Sequence, residues 1–219
     1  MHNRAITIVL QSLFEEKKAD IDNDKDKNDG NDFVKIFDGT LNGWKMAGKG
    51  GFVIVFEGDR QQQQQQPLLK TQGGMGLLWY CKKKFKDFVL KLEWKVTDSQ
   101  DNAGVFVRFP NPNGDPWVAV NNGYEIQIDD LALPEGNPVH LTGAVYGFMR
   151  PTKVASKLAG IWNDLVIFTK DQRYTVIINN ETVIKDFLGN RAKEGYIGLQ
   201  NHDVKSTVYF RNIAIKEIL

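Results

Sequence analysis

With 219 residues, 42% hydrophobic and 25% charged, the chain has the makeup of an ordinary globular protein, long enough for one large domain or one domain with an extension. Its 28 Lys and Arg balance 27 Asp and Glu, so no global field invites nucleic acid or an anionic membrane, and no window approaches the ~20 apolar residues of a membrane span. The single Cys81 excludes an intrachain disulfide and a cysteine-rich zinc site.

Met1 to Leu10 holds a basic residue and an apolar run shorter than the core of an export signal, with no small-x-small cleavage site after it. It reads as a plain extension or as the remnant of such a signal. Gln11–Ala19 reads as a short helix. Asp20–Asp32 is dense in Asp and Asn and reads as a disordered linker. Its Asp-x-Asp-x-Asp spacing lacks the Gly and Glu of a calcium loop, with Lys25 and Asn31 in their places. The predicted organisation is therefore an extension over 1–32 and a folded domain over 33–219.

From Phe33 onward the signals are those of β structure. Phe33–Phe37 and Gly51–Phe56 read as strands, separated by a turn-rich stretch from Asp38 to Trp44. Gln61–Gln66, closed by Pro67, reads as an exposed loop. Leu77–Tyr80 is a further apolar strand. Phe88–Val96 alternates cleanly, with Phe88, Leu90, Leu92, Trp94 and Val96 facing a core and Lys91, Glu93 and Lys95 facing water. Leu131–Leu141, with Pro134, Gly136 and Pro138, must be loop, and Gly143–Gly147 is a short strand or turn. Lys153–Leu158 reads as one helical turn or as irregular. Trp162–Thr169 and Arg173–Asn179 are spaced as a hairpin, followed by strands at Thr182–Ile184, Gly195–Gln200 and Thr207–Ile218. In the last run the apolar parity switches between Val208/Phe210 and Ile213/Ile215, which predicts a β-bulge near Arg211-Asn212. No amphipathic helix is predicted within the domain. Many short strands between Gly, Pro and Asn turns predict an all-β sandwich or jelly roll.

Two stretches carry the chemistry: Asn102-Ala-Gly-Val-Phe-Val-Arg108 and Gly123-Tyr-Glu-Ile-Gln-Ile-Asp-Asp130. By strand alternation Val105, Val107 and Phe109 share one face, and Asn102, Gly104, Phe106 and Arg108 the other. Glu125, Gln127 and Asp129 likewise stand opposite Tyr124, Ile126 and Ile128. If these strands neighbour one another, Arg108, Glu125, Gln127 and Asp129 form one polar patch, suited to a polyhydroxylated ligand that needs donors and acceptors in fixed places. A solvated sheet face with a surface ion pair fits the same pattern.

Nucleophile elbows, Walker loops, dinucleotide fingerprints and His-Glu-x-x-His are all missing from the sequence. With His2, His140 and His202 the only histidines, carboxylates and a histidine on a sheet remain as the chemical groups. His202, followed by Asp203, reads either as a surface residue or as a tuned base or metal ligand. Trp117, in the predicted loop from Pro110 to Val120, offers a stacking surface for a sugar ring, whereas Trp94 belongs to the core.

Nine pieces in order resemble the bacterial 3-keto-disaccharide hydrolase family over about Phe33 to Leu219. They are Phe37–Trp44, Leu78-Trp79, Phe85–Trp94, Asn102–Arg108, Gly123–Asp129, Thr142–Gly147, Trp162-Asn163, Gly195–His202 and Val208–Ile213. The resemblance implies a concanavalin A-like jelly-roll β-sandwich of two antiparallel sheets. It implies action on sugars whose 3-hydroxyl a partner sugar 3-dehydrogenase has oxidised to a ketone. Such a ketone acidifies the C2 proton, so a base can form an enolate that expels the C1 substituent before water adds. It further implies a periplasmic or secreted bacterial protein and, for some members, a divalent metal. Arg108, Glu125, Gln127, Asp129, Tyr146 and His202 fall on the family's motif positions. On this basis Glu125 or His202 is the expected base, with Asp129 assisting. Arg108 is expected on the enolate oxygen, and Asn102, Gln127 and Gln200 on sugar hydroxyls. Glu125, Asp129 and His202 are also the candidate metal ligands. Two departures stand out: the Gln run between Phe56 and Gly73, and Asn201 where an Asp is common, beside His202. A non-catalytic carbohydrate-binding module is the alternative function, since the same sandwich serves lectins.

Overall fold

The computed structural model describes residues 33–58 and 65–218. The predicted extension, its helix and linker, and Gln61–Gln64 lie outside them. The strands are β1 (Val34–Lys35), β2 (Trp44–Gly48), β3 (Gly51–Glu57), β4 (Gln66–Gln72), β5 (Gly76–Tyr80), β6 (Phe88–Val96), β7 (Ala103–Phe109), β8 (Tyr124–Ile128), β9 (Asn163–Lys170), β10 (Arg173–Ile178), β11 (Glu181–Leu188), β12 (Tyr196–Asn201) and β13 (Val208–Glu217). One helix, α1 (Trp117–Asn122), and a 3-10 turn at Pro138–His140 interrupt the β pattern.

The strands form two antiparallel sheets. An eight-stranded sheet runs β11-β10-β9-β6-β13-β4-β3, with β1 also paired to β13, and a five-stranded sheet runs β2-β5-β12-β7-β8. Alternation explains the layering. Leu90, Leu92 and Trp94 of β6 point inward from the large sheet, and Val105, Val107, Ile126, Ile128, Ile197 and Leu199 meet them from the small one. Each such fully buried side chain contributes about 1.5–3 kcal/mol, so a core of this extent holds without disulfides.

The predicted hairpin is present as β9–β10, and the predicted bulge as the register shift between Arg211 and Ala214, with Asn212 at φ +52°. Four elements add to or differ from expectation. β2 and β4 are strands largely within stretches, 45–48 and 67–72, for which no element was predicted; β4 starts at Gln66, the last residue of the Gln run, and carries Pro67 against Phe56 of β3. The stretch Pro110 to Val120 is partly helical. Asp115 Oδ1 accepts the Trp117 amide at 3.0 Å just ahead of α1, whose capping residue Pro116 makes no side-chain cap; at six residues the helix is too short to show a helical period.

The fourth difference bears on function. β7 has a bulge of its own: Tyr196 pairs with Phe109 but Ile197 pairs with Val107, leaving Arg108 extra at φ +56°. Gly195 makes room for it, because a Cβ there would lie 2.4 Å from the Arg108 carbonyl carbon. The bulge reverses the strand's parity past Val107. Phe109 turns to the outward face beside Phe106, and Arg108 turns inward and is fully buried.

Candidate active site

The outward face of the five-stranded sheet can be read row by row from its register. In the middle row Gln200, Gly104 and Gln127 lie side by side across β12, β7 and β8. In the next, Gly198 and Phe106 adjoin Glu125. The segment after β8 folds back along it, joined by the Ile126–Val145 bridge, and the Tyr146 amide donates to the Glu125 carbonyl at 2.9 Å. Tyr146 thereby extends Glu125's row. Past the other end of the middle row, His202, Asn102 and Asp129 follow directly on the last paired residues Asn201, Ala103 and Ile128. There Asn102 Nδ2 donates to Asp129 Oδ2 at 2.9 Å, and Gln127 Nε2 donates to Asn102 Oδ1 at 3.2 Å.

Part of the same face is apolar. Ala47, Leu77, Trp79, Phe106 and Phe109 form a floor on which Ala119 of α1 rests. Gly48 donates its amide to the Gly114 carbonyl at 3.0 Å, so the 110–123 insertion spans the face from β7 to edge strand β2. Trp117 stands at the start of α1 with 54% of its surface exposed. The result is a polar floor at β12, β7 and β8 beside an apolar wall topped by a tryptophan, the mixture small-molecule sites commonly show.

Glu125 is the central group. It is only 5% exposed, and burial alone pushes its carboxyl up to about 8. Its Oε1 has no hydrogen-bond partner and lies over Gly104, where a Cβ would come within 2.1 Å of it. Gln127 Oε1 and Gln200 Oε1 are likewise buried without partners. Three buried acceptors without protein partners thus share one face, free to receive hydrogen-bond donors.

The surrounding groups are better satisfied. Burial raises the Asp129 carboxyl, while amides of Ala132 and Leu131 donating to Oδ1 and the charge of His202 oppose the shift. Burial, and then the carboxylates Glu125, Asp129 and Glu135, raise the Tyr146 phenol, so it stays protonated as a donor. Its ring stacks on His140 at 4.4 Å and 18°. His202 is exposed at the rim, with Nδ1 2.9 Å from Asp203 Oδ2. Burial works against ionisation of Asp203. Hydrogen bonds from His202 and from the Ser206 and Lys205 amides outweigh it and hold that carboxyl below its usual range.

The structure thus brings together Asn102, Glu125, Gln127, Asp129, Tyr146, Gln200 and His202, with Trp117 on the neighbouring insertion. It does not bring Arg108. The β7 bulge aims that guanidinium inward, where Nε and Nη2 donate to the Lys86 carbonyl and Nη1 to the Asp171 carbonyl. Nη1 also donates to the Tyr174 hydroxyl and Nη2 to Asp87 Oδ1, each at 3.0 Å. The predicted patch of Arg108 with Glu125, Gln127 and Asp129 is corrected accordingly: Arg108 is a structural clamp. Asn201 also points inward, donating to the Gln72 and Gly51 carbonyls, and so does not adjoin the imidazole of its neighbour His202. Among the described residues no three His, Cys, Asp or Glu side chains group closely enough to hold a metal ion. Glu125, Asp129 and His202 therefore do not form a ligand set. The residues missed from sequence are Gly104, His140 and the α1 insertion; of these only Gly104 carried a signal, as a glycine inside a strand pattern.

Comparison with known proteins places the chain in a family. Residues 32–216 match the family described as the 3-keto-alpha-glucoside-1,2-lyase-like domain. A 3-keto-disaccharide hydrolase of Bacteroides thetaiotaomicron is 25% identical over 252 aligned positions, taking in 91% of this chain and 83% of that protein. A solved protein of Parabacteroides distasonis, provisionally classed as a glycosyl hydrolase, superposes with a TM-score of 0.66 at 24% identity, over 86% of this chain and 100% of its own. The carbohydrate-binding module CBM66 of Bacillus subtilis shares the sandwich fold, with a TM-score of 0.53 at 15% identity over 80% of this chain and 96% of its own. With a family match running through both sheets, the chain belongs to the 3-keto-alpha-glucoside-1,2-lyase-like domain family.

Proposed function

We propose that this protein cleaves 3-keto-glycosides by removing the C2 proton, eliminating the C1 substituent and hydrating the product. The observation that carries the reading is Glu125: a buried carboxyl with a free oxygen and an affinity for protons near neutral pH, set among amides that can hold sugar hydroxyls. A group poised there both takes and returns a proton effectively.

Each residue has one task. Gln127, Gln200 and Asn102 bind hydroxyls, and Trp117 offers a ring face. Ionised Glu125 takes the proton from C2. The C3 ketone oxygen becomes the enolate oxygen, and the Tyr146 phenol, kept protonated beside two carboxylates, donates to it in the place expected of Arg108. The electron pair then expels the C1 oxygen, which takes a proton from His202, held by Asp203. Water adds its hydroxyl to C1, giving its proton to His202, while Glu125 returns its own to C2. The substrate must come from an enzyme that oxidises the 3-hydroxyl of a glycoside.

Glu125→Gln separates this reading from a binding module. It keeps an amide in place of the carboxyl, so the expected outcome is a loss in kcat of about 10²–10⁴-fold on a 3-keto-glucoside with little change in KM. A variant that instead loses ligand and shows no turnover to lose identifies a lectin-like module.

A further inference from the structure

The opposite side of the sandwich carries a second constellation. On the outward face of the large sheet, Tyr209 of β13 lies between Lys70 of β4 and Lys95 of β6 by strand register. Their ammonium groups stand 5.9 and 5.4 Å from the centre of its ring. A groove of about 490 Å³ opens over them, lined by Phe56, Lys70, Lys95, Thr97, Gly160 and Tyr209 among others. That volume falls within the range of about 300–1,000 Å³ typical of small-molecule sites. Beside it the Trp162 indole packs over Lys95 and Arg211, with Nε1 donating to Glu57 Oε2 at 3.2 Å.

The charges are unequal. Glu57 is the carboxylate lining the groove, and it is held by Lys95 at 2.5 Å and by Arg211 at 3.4 Å. Arg211 is shared with Glu93. Lys70 has no ion-pair partner among the described residues, which therefore leave the groove with one uncompensated positive charge. Phe56 is 60% exposed at its edge. Two ammoniums held over one tyrosine ring beside the exposed Phe56, with a surplus of one charge among the described residues, match a ring-shaped monoanion.

We propose that this groove is a second carbohydrate site, taking a uronate sugar whose ring lies against Phe56 at the groove edge and whose carboxylate bridges Lys70 and Lys95. The exposed Phe56 supplies apolar contact for the pyranose, and Tyr209 holds the two ammoniums over its ring. The two ammoniums supply charge-assisted hydrogen bonds. The site lies on the far sheet from Glu125 and does not depend on the reaction proposed there.

The test is an amide-resolved NMR titration of the full chain with digalacturonate, neutral digalactose and acetate. Saturable shifts at Lys70, Lys95, Thr97 and Tyr209 with digalacturonate are expected, without comparable shifts from the other two. Lys70→Glu should weaken the binding at least about tenfold, the size of one charge-assisted hydrogen bond. Lys70→Gln should weaken it less, and Glu125→Gln should leave it intact. No saturable shift, equal shifts with digalactose, equal affinity for acetate, or a Lys70→Glu protein that is folded and binds as before would each overturn the proposal.

Discussion

Arg108 and Glu125 come from adjacent strands and are both buried, yet their chemistry runs in opposite directions. Arg108 has every donor engaged, whereas Glu125 has an oxygen with nothing to bind. Removing Arg108 therefore acts on stability. Arg108→Met strands two carbonyls and the Asp87 carboxylate, and breaking a buried pair in this way costs about 3–5 kcal/mol. The expected outcome is a lowered urea midpoint with unchanged kcat per folded molecule; a folded variant of native stability with lost kcat would return Arg108 to the reaction. Glu125 also imposes a pH dependence on folding. Its folded-state affinity lies near 8, above the ordinary 4.5 that it regains on unfolding, so between those values the folded chain holds a proton that the unfolded chain has released. Its contribution to stability is therefore full below pH 4.5 and is lost as the pH rises through about 8. Denaturant unfolding at pH 5.5 and 8.5 should show a smaller decline for Glu125→Gln than for the parent protein.

At the level of elements, strand β7 decides what the site can be. Its Gly104 leaves the space into which Glu125 folds, and a methyl there would meet the carboxylate. Gly104→Ala should displace Glu125 and reduce turnover roughly as far as Glu125→Gln does, with an unchanged far-ultraviolet spectrum. Retained turnover would show that the observed carboxylate position is not the working one. The strand also explains where sequence reading succeeded and failed. In β13 the bulge was legible because inward apolar residues change parity across Arg211-Asn212, with polar residues between them to mark the change. In β7 both faces are apolar around Val105, Phe106, Val107 and Phe109, so a parity change left no trace, and Arg108 was placed on the wrong side. Glu125, Gln127 and Asp129 were legible because β8 alternates strictly and stays in register. The helix α1 was not, since no side chain caps its start and its length is under two turns.

Across the whole molecule, the sandwich keeps its inner faces apolar and gives each outer face a different task. The small sheet exposes acceptors and two carboxyls that burial keeps reluctant to ionise, and the large sheet exposes aromatic rings among cations. The family match and the all-β architecture were both readable from spaced motifs and alternation, because turns and apolar periods are local properties. The partner of each polar side chain was not, because strands far apart in sequence supply it: His202, Asn102 and Asp129 meet only once β12, β7 and β8 are in register. The central claim is that this face removes a proton from C2 of a 3-keto sugar. It is tested most directly by following a 3-keto-glucoside and the unoxidised glucoside by NMR with the purified protein in deuterated water. Cleavage of the keto sugar alone, with deuterium appearing at C2, is the predicted result. Cleavage of the plain glucoside at a similar rate, or of the keto sugar with its C2 hydrogen retained, would contradict it.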